Sequence, residues 1–242
     1  MRGLGSVLAV GWGARVVVEL VNDARNFICV VTGRKGSGKS RVLGSYARRF
    51  PRRVILDFTG EHEREPGARV GYTLRQCAVA LAAARASGQR WTVVCALDPR
   101  DVPALLAALM PLGMHGGESF ARAVGGLVVE CGEINEIAVN HAGIAREVSA
   151  MFTRGRHHWL SVLAAARTST EMHKIVTSQA DVVCAFRQHQ ARDVARIGEL
   201  MGERAIPALR DLAPYEYLRY FVDAGRLEHV RADGRATTLA DD

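Results

Sequence analysis

The sequence lacks the features that would place the protein in a membrane or outside the cell. No apolar stretch reaches the roughly 18 residues that a helix needs to cross a bilayer. The apolar run at residues 7–12 is too short for a secretory signal, and Arg15 follows it closely. The five cysteines are odd in number and show no C-x-x-C spacing, which predicts buried free thiols in a reducing compartment. We therefore expect a soluble cytoplasmic protein.

Internal repeats, heptads and low-complexity segments are also absent, which argues against a solenoid or a long coiled coil. His157 and His158 have no metal-ligand spacing with any cysteine, and this argues against a zinc site. The 242 residues, 48% of them hydrophobic, suffice for one α/β domain with an ample core but would be cramped as two. We expect a single domain over residues 1–242.

Lysine is scarce, because only three of the 32 basic residues are lysine rather than arginine. Two of the three, Lys35 and Lys39, lie in one short loop. A compact ammonium fits between phosphates where a planar guanidinium does not, so we interpret Lys39 as a chemical requirement. The net charge of +7 favours an anionic partner, with nucleic acid as the leading candidate, although a basic surface can also serve solubility alone.

Residues 33–40 fit the pattern G-x-x-x-x-G-K-[ST] of the phosphate-binding P-loop. A buried strand precedes them, and their glycines allow the turn in which backbone amides point at phosphate oxygens. The helix that follows directs its unpaired N–H groups and its positive dipole end to the same place. Lys39 would contact the β and γ phosphates, and the Ser40 hydroxyl would bind Mg²⁺; the alternative is a glycine-rich turn without a ligand. The expected nucleotide-binding residues are Gly33, Arg34, Lys35, Gly36, Ser37, Gly38, Lys39, Ser40 and Arg41.

Strand-like apolar runs alternate with helical segments, which predicts a mainly parallel sheet with helices on both faces. Two short strands within residues 1–24 would form a small β annex, and residues 215–232 would form a closing hairpin. The nucleotide-binding core would span residues 25–225, and residues 226–242 would complete the hairpin and end in a frayed tail. The expected strands are 27–32, 53–58, 91–97, 127–130, 160–166 and 181–186, and the expected helices are 39–49, 73–86, 98–110, 119–124, 136–152 and 193–201.

Carboxylates follow two of the predicted strands and would lie near the P-loop. Such a site needs a carboxylate at the end of a neighbouring strand to orient Mg²⁺, and Glu130 is the best placed residue. Glu133 could then orient the attacking water or act as base, or Glu130 could be the base while Ser40 and waters hold Mg²⁺. Asp57 and Glu61 end the adjacent strand and form a second acidic pair at the same edge of the sheet. Both pairs could also be ordinary surface carboxylates.

Three arginines are candidates for contact with phosphate groups. Arg154 and Arg156 belong to a basic segment that continues through His158 after a predicted helix. Three interpretations stay open for them: contact with the γ-phosphate of a neighbouring subunit, contact with a DNA backbone, or a solvated turn. Arg167 follows the strand at 160–166, where a polar group could sense the γ-phosphate, and a structural loop arginine is the alternative.

The order of these features resembles the HerA–FtsK superfamily of DNA-pumping ATPases. The stretch from Gln190 to Gly202, with Asp193, is most similar to the small genome-packaging ATPases of icosahedral viruses with an internal membrane. The similarity covers residues 25–225. It is carried by the P-loop, by Val54–Asp57 with Gly60 and Glu61, and by Leu127–Glu130, Gly155–His157, Ala165–Thr168 and Thr177–Arg187.

The resemblance implies a RecA-like P-loop NTPase fold, with ATP and Mg²⁺ as cofactors and a neighbour's arginine completing each site. It also implies a homo-oligomeric ring, a pentamer or a hexamer, with double-stranded DNA in its central pore. Capsid or membrane vertex proteins would be further partners, and the protein would act in the host cytoplasm or with the virion. Gly113 to Gly117 and Arg122 are candidate pore residues.

Two departures from the family pattern concern the catalytic groups. The family usually has Asp-Glu where this sequence has Glu130-Cys131, and Arg167 stands in a segment that often contains Gln-Arg-Pro or Arg-Arg-Pro. We expect no barrel, membrane anchor or winged helix in a chain of this length, which favours a packaging motor. The alternatives are a cellular HerA-like translocase or helicase for repair or conjugation, a filamentous-phage-type assembly ATPase, a nucleotide-dependent binding switch and a small-molecule kinase.

Overall fold

The computed structural model describes residues 27–87, 90–113, 126–139 and 143–239. Three expectations fall outside this part of the chain. They are the β annex in residues 1–24, the helix at 119–124 and the candidate pore residues at 114–117 and 122.

The described residues form one ten-stranded sheet and seven α-helices. The strands are β1 (Ile28–Thr32), β2 (Arg52–Leu56), β3 (Arg69–Gly71), β4 (Trp91–Cys95), β5 (Leu127–Cys131), β6 (Leu160–Ala166), β7 (Val182–Phe186), β8 (Tyr217–Phe221), β9 (Arg226–Val230) and β10 (Ala236–Thr238). The helices are α1 (Lys39–Ala47), α2 (Leu74–Ser87), α3 (Val102–Gly113), α4 (Arg146–Arg154), α5 (Lys174–Ser178), α6 (Ala191–Met201) and α7 (Ala205–Asp211). Short 3₁₀ turns lie at Pro99–Asp101, Ile134–Glu136 and Gly155–His158.

The strand order in the sheet is β10-β9-β8-β7-β1-β6-β5-β2-β4-β3. The seven strands from β7 to β3 in this order are parallel, and β8, β9 and β10 are added in antiparallel fashion. This confirms the mainly parallel α/β sheet and the closing hairpin. Because the parallel strands share one direction, their carboxyl ends lie at one edge of the sheet, here named the carboxyl edge, and their starts lie at the opposite amino edge.

Helices cover both faces of the sheet. The central strands are apolar almost without alternation, as expected of parallel strands that are buried on both faces. On one face α1 packs through Val42, Leu43 and Tyr46 against β1, β5 and β6. On the other face lie the apolar sides of α2, α3, α4, α6 and α7. The P-loop therefore connects a central strand to a helix that is anchored along its buried side.

The structure corrects two predictions and adds two elements. The helix expected at 136–152 begins only at Arg146, because Val139 pairs with Met172 in an isolated antiparallel bridge after the preceding 3₁₀ turn. The tail expected to be frayed contains β10, which pairs with β9. The additional elements are β3, whose three residues are too few for a periodic pattern, and α7, whose first turn contains Pro207.

All five cysteines are buried and free, as their spacing predicted. Within the described residues, no helix combines the length and the apolar character required to cross a lipid bilayer.

Candidate nucleotide-binding site

The P-loop leaves β1 at the carboxyl edge, between the ends of β6 and β7. The Gly33 N–H donates to the Ala166 carbonyl at 3.2 Å, which ties the loop to the end of β6. A Cβ atom added at Gly33 would lie 2.7 Å from the Phe186 Cβ, so a larger residue does not fit there. Gly36 and Gly38 have φ angles of +77° and +108°, which glycine adopts without strain. The glycines of the motif therefore match the shape of the loop.

Lys39 provides the central cation of this loop. Its Nζ donates to the carbonyl oxygens of Gly33 at 2.8 Å and Arg34 at 3.2 Å, so the ammonium lies over the loop. Burial lowers the pKa of Lys39, whereas the carboxylate of Glu133 raises it. No acidic residue occupies the first turn of α1, so the positive end of this helix is not neutralised from within it. The exposed residues of the predicted nucleotide-binding set are Arg34, Lys35, Gly36, Ser40 and Arg41.

Glu133 brings a carboxylate to the P-loop from the residues after β5. Burial raises its pKa and the charge of Glu61 raises it further, whereas Lys39 and Arg167 lower it. Lys39, Arg167, Glu133 and Glu61 follow the adjacent parallel strands β1, β6, β5 and β2, so they lie at the same edge of the sheet, where their charges influence one another. We name these four residues the carboxyl-edge cluster. A P-loop, a partly buried carboxylate and an arginine thus meet at one edge of the sheet.

Glu130 has a different environment and is only 1% exposed. Its Oε2 accepts a hydrogen bond from the Arg53 Nε at 2.8 Å and lies 2.6 Å from the Nη2 of the same guanidinium. Arg53 also donates to Glu65 at 2.8 Å, so one buried guanidinium binds two carboxylates. The Glu130 carboxylate, for which the sequence left a catalytic or metal-binding role open, is therefore engaged by Arg53.

Glu130→Gln is expected to lower the stability of the protein more than its rate of nucleotide hydrolysis. The change leaves the Arg53 guanidinium with the partly exposed Glu65 as its remaining anionic partner in this contact, which should lower the free energy of unfolding by about 3 kcal/mol in urea denaturation. The exposed Glu63→Gln is a suitable control. The double variant Arg53→Met/Glu130→Leu should regain most of the stability. Lost hydrolysis at unchanged stability would instead identify Glu130 as a catalytic residue.

Asp57 and Glu61, the second acidic pair, differ in their surroundings. Asp57 is buried, and its Oδ1 accepts hydrogen bonds from the N–H groups of Thr59 at 3.1 Å and Gly60 at 2.9 Å. Its Oδ2 accepts another from the His62 N–H at 2.8 Å. Asp57 therefore holds the loop after β2 in place, and this loop contains Glu61, an exposed member of the carboxyl-edge cluster.

Arg167 is exposed directly after β6, and the loop behind it is fastened by Asp193. Asp193 lies in the first turn of α6 and is only 1% exposed. Its Oδ1 accepts hydrogen bonds from the Ser169 Oγ at 3.1 Å, the Thr170 N–H at 3.1 Å and the Thr170 Oγ1 at 2.9 Å. Sequence reasoning did not assign this contact to Asp193, because its partners lie 23 and 24 residues away and no local pattern links them.

Arg154 and Arg156 do not join the carboxyl-edge cluster. Both are exposed at the end of α4 and in the 3₁₀ turn that leads into β6, and they therefore lie at the amino edge. A five-residue strand spans roughly 16 Å, so the sheet separates both arginines from the P-loop of the same subunit. Gly113, the described part of the candidate pore segment, ends α3 near His158 at the same amino edge.

The donors at the carboxyl edge fit a magnesium ion that accompanies a nucleotide. In the residues that the structure describes, no three His, Cys, Asp or Glu side chains are grouped so that they could hold a metal ion alone. Mg²⁺ at a P-loop does not need such a group, because phosphates and waters supply most of its oxygen ligands. The Ser40 hydroxyl is a hard oxygen donor at the appropriate edge, and it is exposed at the start of α1. When bound, the ion would neutralise phosphate charge.

Comparisons with known proteins bear on the fold. No protein-family model and no curated protein sequence matches the chain. Among solved structures, the genome packaging NTPase B204 from Sulfolobus turreted icosahedral virus 2, in complex with ATPγS, has a TM-score of 0.66 and 17% sequence identity. The match covers 85% of this chain and 96% of that chain.

Two further solved structures extend the comparison. B204, the DNA-packaging ATPase from Sulfolobus turreted icosahedral virus, has a TM-score of 0.61 at 18% identity and covers 91% of this chain and 99% of that chain. The pCW3 conjugation coupling protein TcpA, with ATPγS, has a TM-score of 0.50 at 13% identity and covers 81% of this chain and 57% of that chain. The chain therefore has a P-loop NTPase fold. That fold is shared with the viral genome-packaging NTPases, as the sequence resemblance predicted.

Proposed function

We propose that the protein is an ATP-driven motor that moves double-stranded DNA into a virus capsid. The observation that carries the proposal is the carboxyl-edge cluster, in which the ammonium of the P-loop, a partly buried carboxylate and an arginine follow adjacent parallel strands at one edge of the sheet. The fold shared with genome packaging NTPases in complex with nucleotides supports an ATPase. The net charge of +7 supports a polyanionic partner.

In the proposed reaction, each residue of the site has one task. Lys39 binds the β and γ phosphates and stabilises the charge that develops on the transferring phosphoryl group. Glu133 accepts a proton from water as the water oxygen bonds to the γ-phosphorus and the bond to the β–γ bridging oxygen breaks. Arg167 contacts the γ-phosphate, and its loop, fastened to α6 by Asp193, transmits the release of phosphate. Ser40 would hold Mg²⁺ beside the phosphates.

Arg154 or Arg156 supplies a further positive charge from a neighbouring subunit. A ring in which the amino edge of one subunit faces the carboxyl edge of the next would bring such an arginine to the γ-phosphate. Arginines that act in this way raise the rate by roughly 10³–10⁵-fold. The proposed ring, a pentamer or a hexamer, surrounds the DNA and acts with capsid or membrane vertex proteins, in the host cytoplasm or with the virion.

ATP hydrolysis measured with and without linear duplex DNA tests the motor. We expect duplex DNA to raise kcat for ATP hydrolysis, because in a translocating motor each turnover is coupled to binding of the DNA phosphate backbone. Added salt should weaken this stimulation, since it weakens binding to the phosphates. A single-stranded oligonucleotide of equal charge is the control. Hydrolysis that is indifferent to duplex DNA would contradict a motor and favour a binding switch, and phosphate transfer to a small acceptor would indicate a kinase.

Mixed rings test whether an arginine acts between subunits. Rings of Lys39→Ala and rings of Arg156→Ala should each be nearly inactive. After subunit exchange, an equal mixture should regain hydrolysis, because a Lys39→Ala subunit can lend its Arg156 to the intact P-loop of an Arg156→Ala neighbour. Arg154→Ala in the same assay identifies which arginine acts. If no mixture regains activity with either arginine variant, the proposed transfer of an arginine across the subunit boundary is contradicted.

A further inference from the structure

A cavity of about 320 Å³ lies beside the P-loop, on the side of β7. Its wall consists of residues 34–37 of the P-loop, the end of β7 with the residues after it, and residues 212–216 before β8. We name it the β7 cavity. Because β7 and β6 flank β1 on opposite sides, the β7 cavity lies away from Glu133 and Arg167, which follow β5 and β6. It is therefore separate from the part of the carboxyl edge where the γ-phosphate is expected.

The wall of the β7 cavity carries positive charge that the fold does not neutralise. Arg34, Arg187 and His189 line it and are exposed, and in the part of the chain that the structure describes none of these side chains forms an ion pair. The lining contains one carboxylate, that of Glu216, which is already engaged. Its Oε2 accepts a hydrogen bond from the Ala213 N–H at 3.1 Å and lies 2.9 Å from a histidine nitrogen of β9.

Charge at the carboxyl edge is divided by sign. The segments after β1 and β7, residues 33–40 and 187–192, contain no acidic residue. The segments after β2 and β5 contain several carboxylates, including Glu61 and Glu133. A surface whose charge serves solubility alone usually mixes both signs. The concentration of positive charge on one half of this edge therefore indicates an anionic partner.

The nucleotide of the P-loop does not supply that partner. Its phosphates are expected at Lys39 and at the amides of the loop, and its ribose and base carry no charge. A DNA backbone, whose negative charges repeat along its length, matches cations that two separate loops contribute. Arginine binds phosphate with two parallel hydrogen bonds, which suits Arg34 and Arg187 to this contact.

Buried contacts fasten the loop after β7 to the P-loop. Gln188 is 4% exposed, and its Nε2 donates to the Thr32 Oγ1 at 3.5 Å, at the end of β1. Phe186 packs so closely on Gly33 that a Cβ atom added there would lie 2.7 Å from the Phe186 Cβ. Arg187 lies between these two anchored residues in the sequence. A ligand bound at its side chain is therefore held next to the start of the P-loop.

We propose that the β7 cavity binds the phosphate backbone of duplex DNA through Arg34, Arg187 and His189. The inference rests on the proposed DNA motor and names the surface that holds its DNA. Because this surface is fastened to the P-loop, DNA bound there would act on the nucleotide site from the side opposite the carboxylates. The arrangement gives a physical route by which DNA stimulates hydrolysis.

Binding of a fluorescently labelled linear duplex to the full chain, measured at several salt concentrations, tests the inference. We expect Arg187→Gln to weaken binding about fivefold. The slope of log K against log salt should fall in magnitude by about 0.9, the value for one lost phosphate contact. Arg34→Gln should act in the same way. Arg187→Lys should keep most of the affinity and the slope, because lysine retains the charge.

Arg75→Gln is the matched control, because Arg75 is also an exposed arginine but belongs to α2, near the β3 end of the sheet. It removes the same charge and should leave affinity and slope unchanged. Duplex binding like that of the wild type in both Arg187→Gln and Arg34→Gln would overturn the inference and leave the motor intact. A raised KM for ATP without DNA, at unchanged DNA affinity, would assign the β7 cavity to the nucleotide and also overturn it. Failure of the wild type to bind duplex DNA at low salt would refute the proposed motor itself.

Discussion

Lys39→Ala is expected to lower kcat for ATP hydrolysis by at least roughly 10²–10³-fold. Its ammonium lies over the P-loop, 2.8 Å from the Gly33 carbonyl, and interacts with the Glu133 carboxylate. Negative charge spreads over the γ-phosphoryl oxygens in the transition state, and alanine supplies no compensating charge. Phosphate release at saturating ATP measures the effect.

Lys35→Ala is the matched control for this prediction, because Lys35 is the other lysine of the loop and is exposed. It should retain most of the wild-type activity. Thermal unfolding of both variants should resemble that of the wild type, since neither lysine belongs to the apolar core. Turnover that survives Lys39→Ala would contradict the proposed site, and an isolated loss in Lys35→Ala would assign the essential charge to residue 35.

The parts of the site that could be predicted from the sequence are those with a local pattern. The P-loop is contiguous in sequence, and its glycines meet local steric requirements of the turn. Gly38, for example, has a φ angle of +108°, which glycine adopts without strain. Arg167 and Glu133 follow apolar runs that read as buried strands, and parallel strands bring their ends to the same edge. The position of both residues at the carboxyl edge follows from that rule, whereas their chemical roles stay predictions.

The parts that could not be predicted depend on contacts between distant residues. Arg53 and Glu130 are 77 residues apart, and their ion pair depends on the register of β2 beside β5. From the sequence alone Glu130 therefore resembles a strand-end carboxylate. The cavity between α1 and the strands β8 to β10 could not be predicted either, because residues of α1 line it together with residues from Tyr215 onwards. The helical periodicity of residues 136–152 could not reveal the isolated bridge between Val139 and Met172, after which α4 begins only at Arg146.

Glu133→Gln is expected to lower kcat by roughly 10²–10⁴-fold, the range that a general base contributes. Glutamine keeps the size of the side chain and one oxygen acceptor, so nucleotide binding should stay near that of the wild type. Binding of a non-hydrolysable ATP analogue, measured beside phosphate release, separates the two effects. Glu136→Gln is the control, because Glu136 lies three residues further along the chain and is exposed.

The raised pKa of Glu133 gives this prediction a pH signature. Burial raises that pKa, and a general base acts only when it is ionised, so kcat/KM should rise with pH through a pKa above the usual glutamate value of about 4.3. Glu133→Gln should remove this acidic limb of the profile, whereas Glu130→Gln should keep it and lose stability instead. If the limb persists in Glu133→Gln and disappears in Glu130→Gln, Glu130 is the base, and Arg53 must release its carboxylate during each turnover.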